Sequence, residues 1–171
     1  TTQYAYDTNH RLVTITDANG HTPIQNTYDA QNRVTQQKDA LNQSTTFVYD
    51  WSTGQTTVTD ALANPSVYLY DAGYRVTGQR DALGHTLAYA YDAQNNRTGS
   101  TDRNGNTTLL AYDARGNIVR VTNALGQASQ LTYDARNNPL TAIDALGRQT
   151  SLAYDTAGNL TSIVDALNHT T

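Results

Sequence analysis

The sequence predicts an all-β protein, a repetitive array of antiparallel β-hairpins forming a curved sheet. Three observations carry this. The dipeptide Tyr-Asp recurs eight times, first after 22 residues and then every 21. The residues before each Tyr alternate between large and small, the period-2 pattern of a strand. Each Asp opens a short Gly/Asn-rich stretch, and a second such stretch follows ten residues later, the turn chemistry that joins neighbouring strands. Self-similarity at this period marks an architecture built from one repeated supersecondary unit.

The first strand of each unit ends in the repeated dipeptide: Tyr6-Asp7, Tyr28-Asp29, Tyr49-Asp50, Tyr70-Asp71, Tyr91-Asp92, Tyr112-Asp113, Tyr133-Asp134 and Tyr154-Asp155. Two residues before each Tyr stand Tyr4, Asn26, Phe47, Tyr68, Tyr89, Leu110, Leu131 and Leu152. Residues two apart share a strand face, so one face carries paired large groups. A turn follows, with His10, Asn32, Asn95, Gly116, Asn137 or Gly158 three places after the Asp, and Gly73 inside the turn of the fourth unit. Gly and Asn tolerate positive φ, and an Asp side chain accepts a nearby backbone N–H.

The second strand is clearest at 12–16, 118–122 and 160–164. It is weakest at 34–37 and 97–100, where nearly every side chain is polar. Pro139 starts one copy, a position that tolerates a missing N–H. The closing turn reads Asp-Ala-Leu-Gly or a close variant, as in Asp81-Ala82-Leu83-Gly84 and Asp144-Ala145-Leu146-Gly147. Its Leu is expected to cover the hairpin end. The one extra residue, near Pro23, predicts a bulge or a wider turn. The third unit departs as well: Trp51 follows Asp50, and Gly54 falls one place late.

Composition fits an array better than a globule. Leu, Ile, Val and Phe number only 30 of 171 residues, few enough to raise the question of disorder. A net charge of only −4 and twelve Tyr argue for folding, because Tyr supplies large amphipathic surface. Arg and Lys are scattered singly, which gives no nucleic-acid surface. The absence of Cys excludes disulfides and thiolate metal sites. No apolar run is long enough for a membrane helix. Both ends cut a unit mid-strand, so residues 1–171 are read as eight ~21-residue units excised from a longer array. Such a piece exposes two sheet edges, and edge-to-edge self-association is expected.

Tyr-Asp-Ala-x-Gly-Asn-Leu/Ile with Asp-Ala-Leu-Gly ten residues on, best seen at 112–126 and 154–168, resembles the Rhs/YD-repeat family. The resemblance covers the whole chain. It implies hairpins of one long sheet spiralling into a hollow shell. Bacterial members include polymorphic toxins and the shell subunits of Tc toxins, where the shell encloses a C-terminal toxin domain; animal teneurins use a similar shell in adhesion. The resemblance therefore implies a secreted or cell-surface, non-enzymatic shell segment. Its partners would be neighbouring repeats and an encapsulated toxin. The family's self-cleaving segment has Asp-Pro wording; this sequence has none, so no catalytic residue carries across.

Turn-start Asp could suggest calcium, but the further carboxylates of an ion-binding loop are missing. The two Asp of one unit sit roughly 30 Å apart along a strand, beyond either glycosidase geometry. His21, His85 and His169 share a column with Gln, Asn and Arg, which reads as a solvated strand start. No metal, cofactor or catalytic residue is assigned. The Tyr ladder is read first as packing and hydroxyl bonding between neighbours. The alternative is surface-carbohydrate or receptor binding, with sugar rings stacked on Tyr68 and Tyr89.

Overall fold

The computed structural model describes all 171 residues. It contains no helix, and therefore none long and apolar enough to cross a membrane. The strands fall into two compact segments, Thr1–Thr86 and Leu87–Thr171. The first holds β1 (Gln3–Tyr6), β2 (Leu12–Thr16), β3 (Ile24–Tyr28), β4 (Val34–Lys38), β5 (Ser44–Asp50), β6 (Gln55–Thr59), β7 (Pro65–Tyr70) and β8 (Val76–Arg80). The second holds all but the first residue of β9 (Thr86–Tyr91), then β10 (Arg97–Thr101), β11 (Thr107–Tyr112), β12 (Ile118–Thr122), β13 (Ala128–Tyr133), β14 (Pro139–Ile143), β15 (Gln149–Tyr154) and β16 (Leu160–Val164). Within each segment every strand pairs antiparallel with the next in sequence.

No hydrophobic side chain is fully buried, and the only buried residue with a polar side chain is Thr56. Stability therefore rests on strand pairing and on rows of side chains within the sheet. Tyr4 faces Ile15, which faces Ile24. Phe47 faces Val58, Leu110 faces Val121, and Leu152 faces Ile163. Cross-strand pairs of this kind contribute roughly 0.2–1 kcal/mol each. The alternation read from sequence appears as alternating exposure: in β11, Leu110 and Tyr112 are half-buried while Leu109 and Ala111 are exposed. The two strands with polar sequences form regardless, as β4 and β10. Their backbone ladders are satisfied by neighbours on both sides, so apolar side chains are not required.

Most hairpins share one loop. Asp7 N–H donates to the Arg11 carbonyl at 3.0 Å, and His10 N–H donates to the Asp7 carbonyl at 3.0 Å. Three residues lie between, the last in the left-handed region with a register shift beside it, which is the three-residue hairpin with a bulge. In the fourth unit the frame selects Tyr74, at φ 60°, and not Gly73 as the sequence suggested. Asp71 fixes that frame by binding the N–H groups of Gly73 and Arg75, so the left-handed place falls on whichever residue is third. Ala63 is held the same way at φ 64°. A left-handed conformation costs a non-glycine residue roughly 1–2 kcal/mol.

Two irregularities resolve differently from expectation. The extra residue near Pro23 neither widens the turn nor bulges a strand. Asp17 still closes on His21 at 2.8 Å, and Thr22-Pro23 form an irregular link before β3. Pro23 lacks the N–H a ladder needs, so pairing resumes one residue later. In the third unit β5 and β6 pair without a register shift down to Asp50 and Gln55. The loop between them is four residues, Trp51 to Gly54. Gly54, at φ 64°, accepts a hydrogen bond from Tyr70 N–H at 2.7 Å, and a Cβ there would lie 2.7 Å from the Tyr70 carbonyl oxygen. Gly54→Ala is therefore expected to cost about 2 kcal/mol or more. A thermal melt checks this, and an unchanged midpoint would contradict the tight approach.

Candidate functional site

The repeated Tyr-Asp unit forms a hydrogen-bonded device at every turn. Asp113 Oδ1 accepts the N–H groups of Arg115 and Asn117, each at 2.9 Å, and Oδ2 accepts the Asn117 side-chain amide at 2.9 Å. The same pattern holds at Asp92, Asp134 and Asp155 with Asn96, Asn138 and Asn159. At Asp7, Asp29 and Asp71 an arginine four residues on takes the amide's place, its Nε 2.7 Å from Oδ2. Asp50, in the longer loop, binds the hydroxyls of Ser52 and Thr53, each at 2.6 Å. The closing turns repeat the scheme. His21 and His169 place Nδ1 3.0 and 2.9 Å from the carboxylates of Asp17 and Asp165, and His85 lies 3.4 Å from Asp81. The histidine column read as a solvated strand start is thus exposed but tethered.

The tyrosines link one hairpin to the next. The hydroxyls of Tyr28, Tyr49, Tyr112 and Tyr133 donate to the carbonyls of Leu12, Val34, Arg97 and Ile118, at 2.6–2.9 Å. Each acceptor begins the second strand of the preceding hairpin. Sequence reasoning missed a companion contact. The guanidinium carbons of Arg11 and Arg33 lie 4.7 and 4.6 Å above the rings of Tyr28 and Tyr49, where a cation over an aromatic face contributes roughly 0.5–1 kcal/mol. The signal was an Arg four residues after one Asp and a Tyr one hairpin later. Tyr70 is tied through its backbone to Gly54. Tyr6 is largely exposed in β1, and Tyr154 is half-buried beside Arg136. Asn26, which interrupts the large-residue column, is held by Gln37 at 2.9 Å and donates to the Leu12 carbonyl at 3.1 Å.

Of the two tyrosines considered for sugar stacking, Tyr89 lies under the Arg97 guanidinium at 5.5 Å. Tyr68 is half-buried, with its hydroxyl 3.4 Å from Gln79 Nε2. The leucines of the closing turns do not cover hairpin ends. Leu41, Leu62, Leu83, Leu125, Leu146 and Leu167 are 75–83% exposed. Each occupies the turn position whose N–H donates to the side-chain oxygen at the turn start, an Asp carboxylate in five turns and the Asn123 amide oxygen for Leu125, which aims the side chain off the end of the hairpin.

The RHS repeat family profile matches residues 1–22, 73–107, 112–147 and 136–170, more than half of the chain. The chain belongs to the RHS repeat family. No curated protein matches it by sequence. Among solved structures, TcdB2-TccC3 superposes with a TM-score of 0.75 at 17% identity, covering 95% of this chain and 10% of its own. The TcdB2-TccC3-Cdc42 structure gives 0.76 at 16%, covering 94% and 10%. A Tc holotoxin pore from Photorhabdus luminescens gives 0.54 at 16%, covering 95% and 12%. These likenesses show a common fold, and the RHS chain spans about a tenth of the length of the first two. The profile leaves residues 23–72 unmatched, the stretch that holds Asn26 and the four-residue loop.

The turn carboxylates are expected to make folding of the RHS array sensitive to acid. Backbone N–H donation from the residue four on holds Asp7, Asp29, Asp71, Asp134 and Asp144 below the ordinary value of 3.8. At Asp102, Asp113 and Asp155 the asparagine side chain is the leading cause, and at Asp17 it is the His21 ring. A carboxylate whose value is lower folded than unfolded contributes stability that is complete above the unfolded value. That contribution fades as pH falls through the folded one. The thermal midpoint is therefore expected to be flat from neutral pH down to about 5 and to drop below about 4. A pH series of melts by circular dichroism checks this.

Proposed function

We propose that this RHS segment is a wall element of a shell that encloses and shields a toxin polypeptide until delivery outside the producing bacterium. The observation that carries the reading is a sheet whose strands and turns are satisfied by one another with no buried hydrophobic core. Such a sheet extends by repetition and presents two broad faces. The likeness in fold to the TcdB2-TccC3 chains supports the same reading. One of those structures is described as lacking a hypervariable C-terminal region, and another is of a holotoxin pore. Every carboxylate of the segment is engaged in its own turn, which favours a structural over a catalytic role. A mixed lining of Tyr, Leu, Thr and Ala would hold an unfolded chain without binding it tightly. Limited proteolysis of the full-length polypeptide that carries these repeats tests the proposal. A region downstream of the repeats should resist cleavage while the array is folded and become labile once the array is denatured by acid. Equal cleavage before and after would overturn it.

A further inference from the structure

The closing turns carry a feature that the hairpins themselves do not need. Leu41, Leu62 and Leu83 in the first segment, and Leu125, Leu146 and Leu167 in the second, stay exposed off the hairpin ends, each beside an exposed Ala. The turn does not call for Leu there. At Asp17 and Asp102 the same place holds Asn19 and Asn104, whose N–H groups donate to the carboxylate at 2.8 Å just as those of the leucines do. Asn would also avoid baring an apolar side chain to water. Three consecutive leucines in each segment make a row, and a contiguous exposed apolar row marks an interaction surface. The second segment adds a hollow to its row. Ala142 stands opposite Leu131, where the neighbouring hairpins place Val121 opposite Leu110 and Ile163 opposite Leu152. The smaller side chain leaves a notch in the line of large residues. A 610 Å³ hollow opens there, bordered on its apolar side by Leu131, Ala142, Ile143, Ala166 and Leu167.

We propose that the row Leu125, Leu146 and Leu167 docks a second copy of this chain across a two-fold axis. Pitch, shape and charge favour a copy over other partners. Consecutive hairpins are two strand spacings apart, so the leucines stand ~9.6 Å apart. A second copy carries the same pitch. Two such rows, antiparallel and offset by half a pitch, set each leucine ~4.8 Å sideways from its counterparts, close to contact distance. A two-fold interface must be self-complementary, and here projecting leucines and a hollow occur on one hairpin end. Like surfaces also meet with little repulsion. Asn123 carries no charge, Asp144 is paired with Arg148 at 2.6 Å, and Asp165 has His169 Nδ1 at 2.9 Å. The first segment's row is less suited, because its turns hold neutral Gln43 and Asn64 against Asp39 and Asp60. Each leucine offers roughly 60–120 Å² of apolar area. The row and its hollow therefore bury less than the ~800 Å² per partner of a standard interface, so the dimer is weak and reversible. The surface lies at hairpin ends, apart from the two sheet edges, and it does not depend on what the wall encloses.

Sedimentation equilibrium of the folded chain over about 10–500 μM should show a reversible monomer–dimer equilibrium. Leu125→Asn, Leu146→Asn and Leu167→Asn together install the residue that the same turn position accepts at Asn104. This variant should keep the melting temperature of the dilute chain and weaken the dimer by about tenfold or more. Leu41→Asn, Leu62→Asn and Leu83→Asn together should leave the dimer unchanged. The chain has no cysteine, so Leu146→Cys supplies a single thiol at the middle of the row. Under mild oxidation it should cross-link as a dimer faster than Asn104→Cys, which places a thiol on the same hairpin end outside the row. A chain that stays monomeric overturns the proposal. So does a dimer that the Leu125, Leu146 and Leu167 substitutions leave intact, which would place association at the strand edges, and so does equal cross-linking of the two cysteine variants.

Discussion

The array depends on one interaction, an aspartate carboxylate closing its own turn. All fifteen acidic residues of the chain are Asp at turn starts, and there is no Glu. A longer side chain would carry its oxygens past the N–H groups two and four residues on. With that frame set, the hairpin has a fixed loop length, the third loop residue must take positive φ, and the register of the flanking strands follows. Asn123 shows which property matters. Its Oδ1 accepts the N–H groups of Leu125 and Gln127 at 3.0 Å, the same geometry without a charge. The acceptor closes the turn, and the charge adds pH sensitivity.

Hairpins so made still need joining, and here no core is present to do it. The joining is local. Tyrosine hydroxyls bind the carbonyl that starts the previous hairpin's second strand, arginines cover some of the same rings, and side-chain rows run across the strands. Every contact lies between neighbours in sequence, so the energetics approximate a sum over units and their interfaces. An interruption at one unit can then be absorbed there. The irregular link at Thr22-Pro23 and the four-residue loop at Trp51 leave the pairing of β3 with β4 and of β6 with β7 intact.

Much of this was legible in the sequence because it is written eight times. The Tyr-Asp columns gave strand ends and turns, and the tyrosines' double role in packing and hydroxyl bonding follows from their place at strand ends. What was not legible depends on direction in space. Leu in Asp-Ala-Leu-Gly reads as a cover for apolar surface, but its N–H is turned toward the Asp oxygen, so its side chain points outward. Gly73 looks like the flexible residue of its turn, yet counting from the carboxylate assigns that conformation to Tyr74. The stacking of Arg on Tyr joins residues of different hairpins whose columns mean little separately. The third unit's departure at Trp51 was legible, but the contacts of its ring with Tyr49 and Tyr74 were not, because they depend on how the longer loop turns the side chain.

The central claim is that a side-chain oxygen at each turn start holds the array in register. The most direct test compares thermal melts of Asp102→Asn and Asp102→Ala. Asp102 binds Asn104 N–H at 2.8 Å and Asn106 N–H at 2.9 Å, and it occupies the turn position that Asn123 fills one unit later. The Asn variant, which keeps the acceptor, is expected to melt close to the unaltered chain at neutral pH. The Ala variant is expected to melt clearly lower. An Ala variant as stable as the parent, or an Asn variant as damaged as Ala, would contradict the account.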